Sequence, residues 1–362
     1  MKLFVCASCS NLVYFENRTC ESCGYRLGYF PEAHRVFALR PVAGSWISLG
    51  EVQEFRLCGN AEHDACNWLI PSVSADRLCA ACRHNRVIPD LSLDENLSRW
   101  RKLERARHHM FYGLLRLRLP LETRLEDPAF GLAFDTLVET PDGGMVRTGH
   151  QDGVITLNLA EADDAIREQR RTELGEPFRT LLGHFRHEIG HYYWARLIHD
   201  GGPLDAYRDC FGDERIDYNQ ALKDYYANGA PPDWREHYVS AYASSHPWED
   251  FAETWAHYSH IVDTLEMAGW FGLRVSPVVT DDAAYRSMVD FDPFAAVSID
   301  QLVHRWLPIA GAVNNINRCM GQPDLYPFVL TPAVIHKLGF VHGLIRHAGH
   351  SAREPASQAA PE

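Results

Sequence analysis

His187-Glu188-Ile189-Gly190-His191 sets two histidines four residues apart, with a glutamate directly after the first. On a helix, positions i and i+4 share one face about one turn apart, so both imidazoles can reach one metal ion. Glu188 then stands beside that ion, where a carboxylate can take a proton from a water the metal activates. For so short a pattern the bland alternative is a surface helix with two unrelated histidines. A third ligand has to come from elsewhere in the chain.

Ten cysteines carry a second chemistry. Eight fall in the first quarter of the chain (Cys6, Cys9, Cys20, Cys23, Cys58, Cys66, Cys79 and Cys82), whereas Cys210 and Cys319 lie apart. Cys6-Ala-Ser-Cys9 and Cys20-Glu-Ser-Cys23 are two C-x-x-C knuckles ten residues apart. Four thiolates at that spacing complete a tetrahedral zinc shell, the signature of a zinc ribbon; iron on the same ligands is the alternative. The second set, Cys58, Cys66 and Cys79-Ala-Ala-Cys82, is less regular, with His63 and His84 nearby as alternative ligands. Clusters of this kind in a cytosolic chain read as metal sites rather than disulfides. Both ions are expected to be structural, because segments this short cannot build an adequate core unaided. The functional alternative is a docking module. Residues 1–90 hold nine Lys or Arg against nine Asp or Glu, and the chain carries a formal net charge of −13. Nucleic acid is therefore the weaker partner.

The third ligand at the histidine motif decides the class of site. A metzincin extension would need glycine where Trp194 stands and histidine where Leu197 stands, so that class is excluded. Gluzincins draw a glutamate from a second helix, and His246-Pro247-Trp248-Glu249-Asp250-Phe251-Ala252-Glu253 fits that description. Glu249 would complete a shell of two histidines and one glutamate, leaving the fourth position to water. Glu253, one turn on, would accept a hydrogen bond from a ligand histidine and fix its tautomer. Trp248, Phe251 and Trp255 imply a buried helix, in which two carboxylates are costly without a cation or donors. The rival acidic source, Asp213-Glu214-Arg215, reads as a solvated loop or a salt-bridged helix start.

Helices must hold these side chains. Phe178, Leu181, Leu182, Phe185 and Ile189 recur at helical spacing and would bury the other face of the motif helix. Pro177 suits its first turn. Gly190 is unfavourable inside a helix by about 1 kcal/mol and implies close approach of another element. Pro247 opens the second helix. Upstream, Asp94 could cap a charged amphipathic helix that is predicted to begin near Glu95 and run to about Leu117, as a solvated connector. Residues 134–138 predict a strand, 140–144 a turn and 153–159 another strand. The last is placed where zincin-type peptidases carry the edge strand that pairs with extended substrate; a plain strand inside the sheet is the alternative. Helical periodicity returns at 262–267, 299–306 and 332–345, the last with Thr331 as cap and Pro332 at the first position. His108, His109, His336, His342, His347 and His350 lack metal-type spacing and read as surface or packing residues.

The runs Thr148-Gly149-His150, Ile155-Thr156-Leu157-Asn158, Ala162-Asp163-Asp164 and Phe211-Gly212-Asp213-Glu214-Arg215 resemble a bacterial family of zinc-binding metallopeptidases. So do residues 182–188 and 240–244, and the resemblance extends to about Leu273. Members of that family carry an amino-terminal zinc-ribbon region. Glu249-Asp250-Phe251-Ala252-Glu253 also resembles the E-x-F-A-E element of lethal-factor-like gluzincins. That likeness implies zinc binding by Glu249 and support of the shell by Glu253. It further implies a tyrosine seven residues before the ligand glutamate, near the scissile carbonyl. Tyr242 holds that position and could donate to the developing oxyanion, with Tyr238 as runner-up.

The 362 residues thus predict an α+β chain. A zinc ribbon is expected over residues 1–30, a second four-cysteine zinc-binding module over 31–90, a zincin-like and mostly helical metallopeptidase domain over 91–348, and a disordered tail over 349–362. One catalytic and two structural zinc ions are expected, with a peptide or protein substrate and a protein partner for the ribbons. Hydrophobic residues at 46% and charged residues at 23% are ordinary for a soluble globular chain. No apolar run reaches the roughly 18 residues that span a bilayer, and the start leaves no room for a signal peptide. Cytoplasmic residence is the resulting expectation. A non-catalytic zinc adaptor and a zinc amidohydrolase acting on a non-protein substrate are the alternatives. Glu188 favours catalysis, since a structural site needs no base.

Overall fold

The computed structural model describes residues 1–51, 53–139, 146, 148–174 and 180–351. The expected turn at 140–144, Pro177, Phe178 and the tail beyond 351 lie outside the described residues. Two compact units are present: Met1–Tyr112 with Glu122–Arg167, and Gly113–Leu121 with Glu168–Glu362.

The first unit opens with an antiparallel hairpin of β1 (Phe4–Val5) and β2 (Leu12–Val13). A five-stranded antiparallel meander follows: β3 (Arg26–Phe30), β4 (Arg35–Val42), β5 (Ser45–Ser48), β6 (Glu54–Leu57) and β7 (Leu69–Pro71). Gly44, at φ 78°, makes the tight turn between β4 and β5. Phe30, Phe37, Leu39, Phe55 and Leu69 form the core on this sheet. β8 (Asn85–Val87) leads to helix α1 (Asp94–Leu117). α1 is not the solvated connector its charge predicted: Trp100, Leu103, Glu104, Arg107, His108, Met110, Phe111 and Tyr112 are all buried.

β9 (Ala133–Leu137), β10 (Gly149–Gln151) and β11 (Val154–Asn158) complete a four-stranded sheet in the order β10-β11-β9-β8. Phe111 of α1 packs on Phe134 of β9, with ring centroids 5.9 Å apart. Of the two places open to β11, an edge or the inside of the sheet, it takes the inside. Asp152 and Gly153 take φ of 47° and 81°, folding the chain straight back. Residues 149–151 therefore pair along β11 and cover the side that substrate would have needed.

α2 (Asp164–Leu174) leads on to the helical unit of the chain. α3 (Leu181–Trp194) carries the histidine motif and passes into a π-helical turn, Ala195–His199. Its cap is Thr180, whose hydroxyl accepts a 2.9 Å bond from the Gly183 N–H. α4 (Leu204–Phe211), α5 (Tyr218–Asn228) and α6 (Trp234–His237) are short. α7 (Pro247–Trp270) starts at Pro247, with the His246 ring accepting from the Trp248 N–H at 3.0 Å. The periodicity at 262–267 belongs to this same helix.

A small hairpin of β12 (Arg274–Val275) and β13 (Ser287–Met288) comes next, then α8 (Ile299–Cys319) and α9 (Pro332–Ser351). Thr331 caps α9, accepting from the Val334 N–H at 3.3 Å. α7 is buried on nearly every side, through Phe251, Trp255, Tyr258, Ile261 and Leu265, as suits the central helix of a core. α3 lies against it. A Cβ on Gly190 would stand 3.0 Å from Cα of Ala252, which is the close approach this glycine predicts. Tyr193 stacks on Trp255 at 4.9 Å. No helix among the described residues is long and apolar enough to cross a membrane.

Candidate metal centres

The structure gathers the eight clustered cysteines into two quartets, Cys6, Cys9, Cys20, Cys23 and Cys58, Cys66, Cys79, Cys82. Sulfurs lie 3.7 Å apart for Cys6 and Cys23, 3.6 Å for Cys9 and Cys20 and 3.8 Å for Cys66 and Cys79. These are not disulfide distances. Zinc–sulfur bonds of about 2.3 Å give tetrahedral edges of about 3.8 Å, so both quartets fit zinc. His63 and His84 stay outside the quartets; the Nδ1 of His84 faces the Leu132 carbonyl at 2.9 Å.

In the helical unit, one turn of α3 and the first turn of α7 bring His187, His191 and Glu249 together. The Nε2 atoms of the two histidines are 3.1 Å apart. Oε2 of Glu249 lies 2.9 Å from Nε2 of His187 and 3.5 Å from Nε2 of His191. Bonds of about 2.0–2.1 Å to nitrogen and oxygen give tetrahedral edges of about 3.3 Å, and the three separations bracket that value. Despite its closeness, Oε2 of Glu249 makes no aligned hydrogen bond and is buried. Three lone-pair atoms converging in a buried place fit a divalent cation, and two nitrogens with one carboxylate suit zinc.

The neighbours orient this triad. Nδ1 of His187 donates to Oε1 of Glu253 at 2.8 Å, and Ser240 donates to Oε2 of Glu253 at 2.6 Å. That fixes the tautomer with Nε2 free for the metal. Burial raises the Glu253 carboxyl, but the hydrogen bond and charge of His187, with His257 and the Ser240 hydroxyl, together outweigh it and leave the group at about 2. Burial likewise opposes ionisation of Glu249, yet His191 and His187 hold it well below the usual carboxylate range. Glu188 is buried beside the triad and its Oε2 has no hydrogen-bond partner among the described residues. Burial pushes its carboxyl up, against the pull of the two histidines. Trp248 packs on His191, ring centroids 4.0 Å apart.

Of the tyrosines, Tyr242 sits with its ring 6.0 Å from that of His187, and burial raises its phenol well above the ordinary range. Tyr238 is engaged elsewhere: Nζ of Lys337 lies 4.2 Å over its ring and bonds Asp250 at 2.6 Å. Sequence reasoning missed Tyr218, whose hydroxyl donates to Oε1 of Glu249 at 2.6 Å. The only local signal was its place in the first turn of a helix capped by Asp217. Glu214 bonds Arg208 at 2.6 Å and Asp213 pairs with Arg215, which is the salt-bridged arrangement its charges suggested. A further group was also missed: Glu104 and His108 of α1 stand against Cys82.

Residues 3–93 match a zinc-ribbon domain, and residues 96–344 match the family described as "Putative zinc-binding metallo-peptidase". Uncharacterized proteins of Mycobacterium bovis and of two strains of Mycobacterium tuberculosis are each 40% identical to the chain over 346 residues, covering 95% of it and 95% of their own length. No solved structure matches. With a family match over well more than half its length, joined to a zinc-ribbon region, the chain belongs to the putative zinc-binding metallo-peptidase family.

Proposed function

We propose that the chain is a zinc-dependent peptidase with a zincin-like helical domain, in which His187, His191 and Glu249 hold the catalytic metal. The observation that carries this reading is the convergence of those three ligand atoms next to Glu188, whose buried Oε2 has no hydrogen-bond partner among the described residues. Zinc held there supplies Lewis acidity, polarising a carbonyl and acidifying a water near neutral pH. Glu188 accepts the proton of the attacking water and passes it to the leaving amine. Glu253 keeps His187 in the tautomer that presents Nε2. Tyr218 holds Oε1 of Glu249, so that Oε2 faces the histidines. Tyr242 donates its phenolic proton toward the developing oxyanion. The two cysteine quartets hold structural zinc, and the ribbons dock a protein partner or the protein substrate. Residence is cytoplasmic.

Metal analysis and peptide hydrolysis of the wild type and Glu188→Gln test the reading. About three zinc ions are expected in both proteins, with hydrolysis lower by roughly 10²–10⁴ in the variant. Equal hydrolysis would overturn the catalytic role of Glu188. Two zinc ions in both would overturn the third site.

A further inference from the structure

Zinc on four thiolates is a net dianion, and burying charge is costly unless donors or counter-charges meet it. The two quartets face this differently. In the first, Cys6 and Cys20 are buried but Cys9 is exposed and Cys23 half-buried, so one side of the cluster is open to water. In the second, Cys58, Cys66, Cys79 and Cys82 are only 1, 4, 2 and 0% exposed. Their donors come from the protein. The Cys79 N–H points to the sulfur of Cys58 at 3.3 Å, the Trp68 N–H to Cys66 at 3.3 Å and the Cys82 N–H to Cys79 at 3.4 Å.

The sulfur of Cys82 is met by side chains of α1 instead. Nε2 of His108 lies 3.4 Å from it and Nη2 of Arg107 lies 3.8 Å from it. Both side chains are buried, and both are fixed. Arg107 bonds the Ala81 carbonyl at 2.6 Å and both oxygens of Glu104, at 2.9 and 2.5 Å. The His108 ring packs on Trp68, centroids 5.2 Å apart. Cys82, Glu104 and His108 also have the composition of a metal site of their own. Arg107 argues against it, because a guanidinium bound to both Glu104 oxygens and next to the thiolate already supplies the cation.

We infer that Arg107 and His108 are positioning residues of the second zinc site. They give Cys82 the hydrogen bonds that the backbone gives the other three thiolates. By drawing charge from the sulfur they make this quartet slow to react with oxidants and electrophiles, while the first quartet stays open to them. The inference rests on the cysteine quartets alone and is independent of peptidase activity.

The test uses the full-length, zinc-loaded protein treated with iodoacetamide, with a chromogenic chelator reporting released zinc and mass spectrometry reporting each cysteine. In the wild type, Cys9 and Cys23 should be alkylated first and Cys82 last. His108→Leu and Arg107→Met should speed alkylation of Cys82 by about tenfold or more. His108→Gln, which keeps an N–H donor, should restore most of the protection. Cadmium-loaded wild type supplies a measurement that needs no variant to fold. Its NMR spectrum should show coupling between the metal and the His108 Nε2 proton, carried through the hydrogen bond to sulfur. Absence of that coupling, or Cys82 rates within about twofold of wild type in both variants, would overturn the inference. So would a fourth equivalent of metal that is lost in Glu104→Gln.

Discussion

The cysteine quartets and the histidine–glutamate centre solve the same problem, holding a divalent cation, with opposite means. In the quartets, four sulfurs with separations of 3.6, 3.7 and 3.8 Å take every position of a tetrahedron. In the helical unit three ligand atoms converge among the described residues, and beside them stands a carboxylate whose Oε2 has no hydrogen-bond partner among those residues. A closed shell contributes to folding and little else; an open one leaves a coordination position for chemistry. The ligands are also fixed differently. Knuckles set a quartet through local turns, whereas Glu249 reaches His187 because two helices pack against each other around Gly190.

That contrast breaks most visibly at the ligands. A structural zinc stabilises a small fold by on the order of 10 kcal/mol. Cys66→Ser should therefore remove one zinc equivalent and abolish cooperative melting of the first unit, followed by calorimetry. A variant that keeps its zinc and melts like the wild type would show that this quartet is not a closed structural site. His191→Ala should also remove one zinc equivalent and abolish hydrolysis. Its far-ultraviolet circular dichroism should stay unchanged, because α7 is held by Phe251, Trp255 and Tyr258 rather than by the metal. Collapse of the helical signal in His191→Ala would erase the distinction between the two kinds of site.

Tyr218→Phe sharpens the comparison. The phenol donates to Oε1 of Glu249 at 2.6 Å, and losing such a partner of a ligand lowers metal affinity by about 10–100-fold. Competition against a chelator should find that drop at one zinc equivalent, with the other two unmoved. Unchanged affinity would mean that packing alone orients Glu249.

Residues whose chemistry demands a fixed local spacing were legible in the sequence. The C-x-x-C knuckles, the i, i+4 histidines and the Glu249–Glu253 pair in an aromatic helix all belong to that class. Gly190 was legible for a different reason, since a costly helical glycine predicts a close neighbour. What depends on distant packing was not. Tyr218 reaches Glu249 across 31 residues, and nothing in its own turn says so. The meander from β3 to β7, which starts after the first cysteine cluster and ends inside the second, escaped notice because the cysteines drew the reading to ligands. α1 misled through its charge, because Glu104, Arg107 and His108 look solvated until a buried thiolate is placed beside them. Whether β11 lay at an edge or inside the sheet was not legible, because pairing by a three-residue strand leaves almost no periodicity to read.

The smallest expected effect lies at the helix contact that sets the open site. In Gly190→Ala the new methyl would meet Cα and O of Ala252 at 3.0 and 3.3 Å and Cβ of Trp255 at 3.2 Å. Two of these are backbone atoms of a buried helix, which cannot swing aside as a side-chain tip can. Overpacking costs about 1–3 kcal/mol, against a gain of about 1 kcal/mol from replacing a helical glycine. A net loss of about 1 kcal/mol follows, read as a lower melting temperature of the helical unit. Because the same contact sets how far Glu249 stands from the two histidines, zinc affinity should fall at that site and at neither quartet. A Gly190→Ala protein that is more stable and binds zinc as the wild type does would show that α3 and α7 have room to spare, and that ligand spacing is not set by their contact.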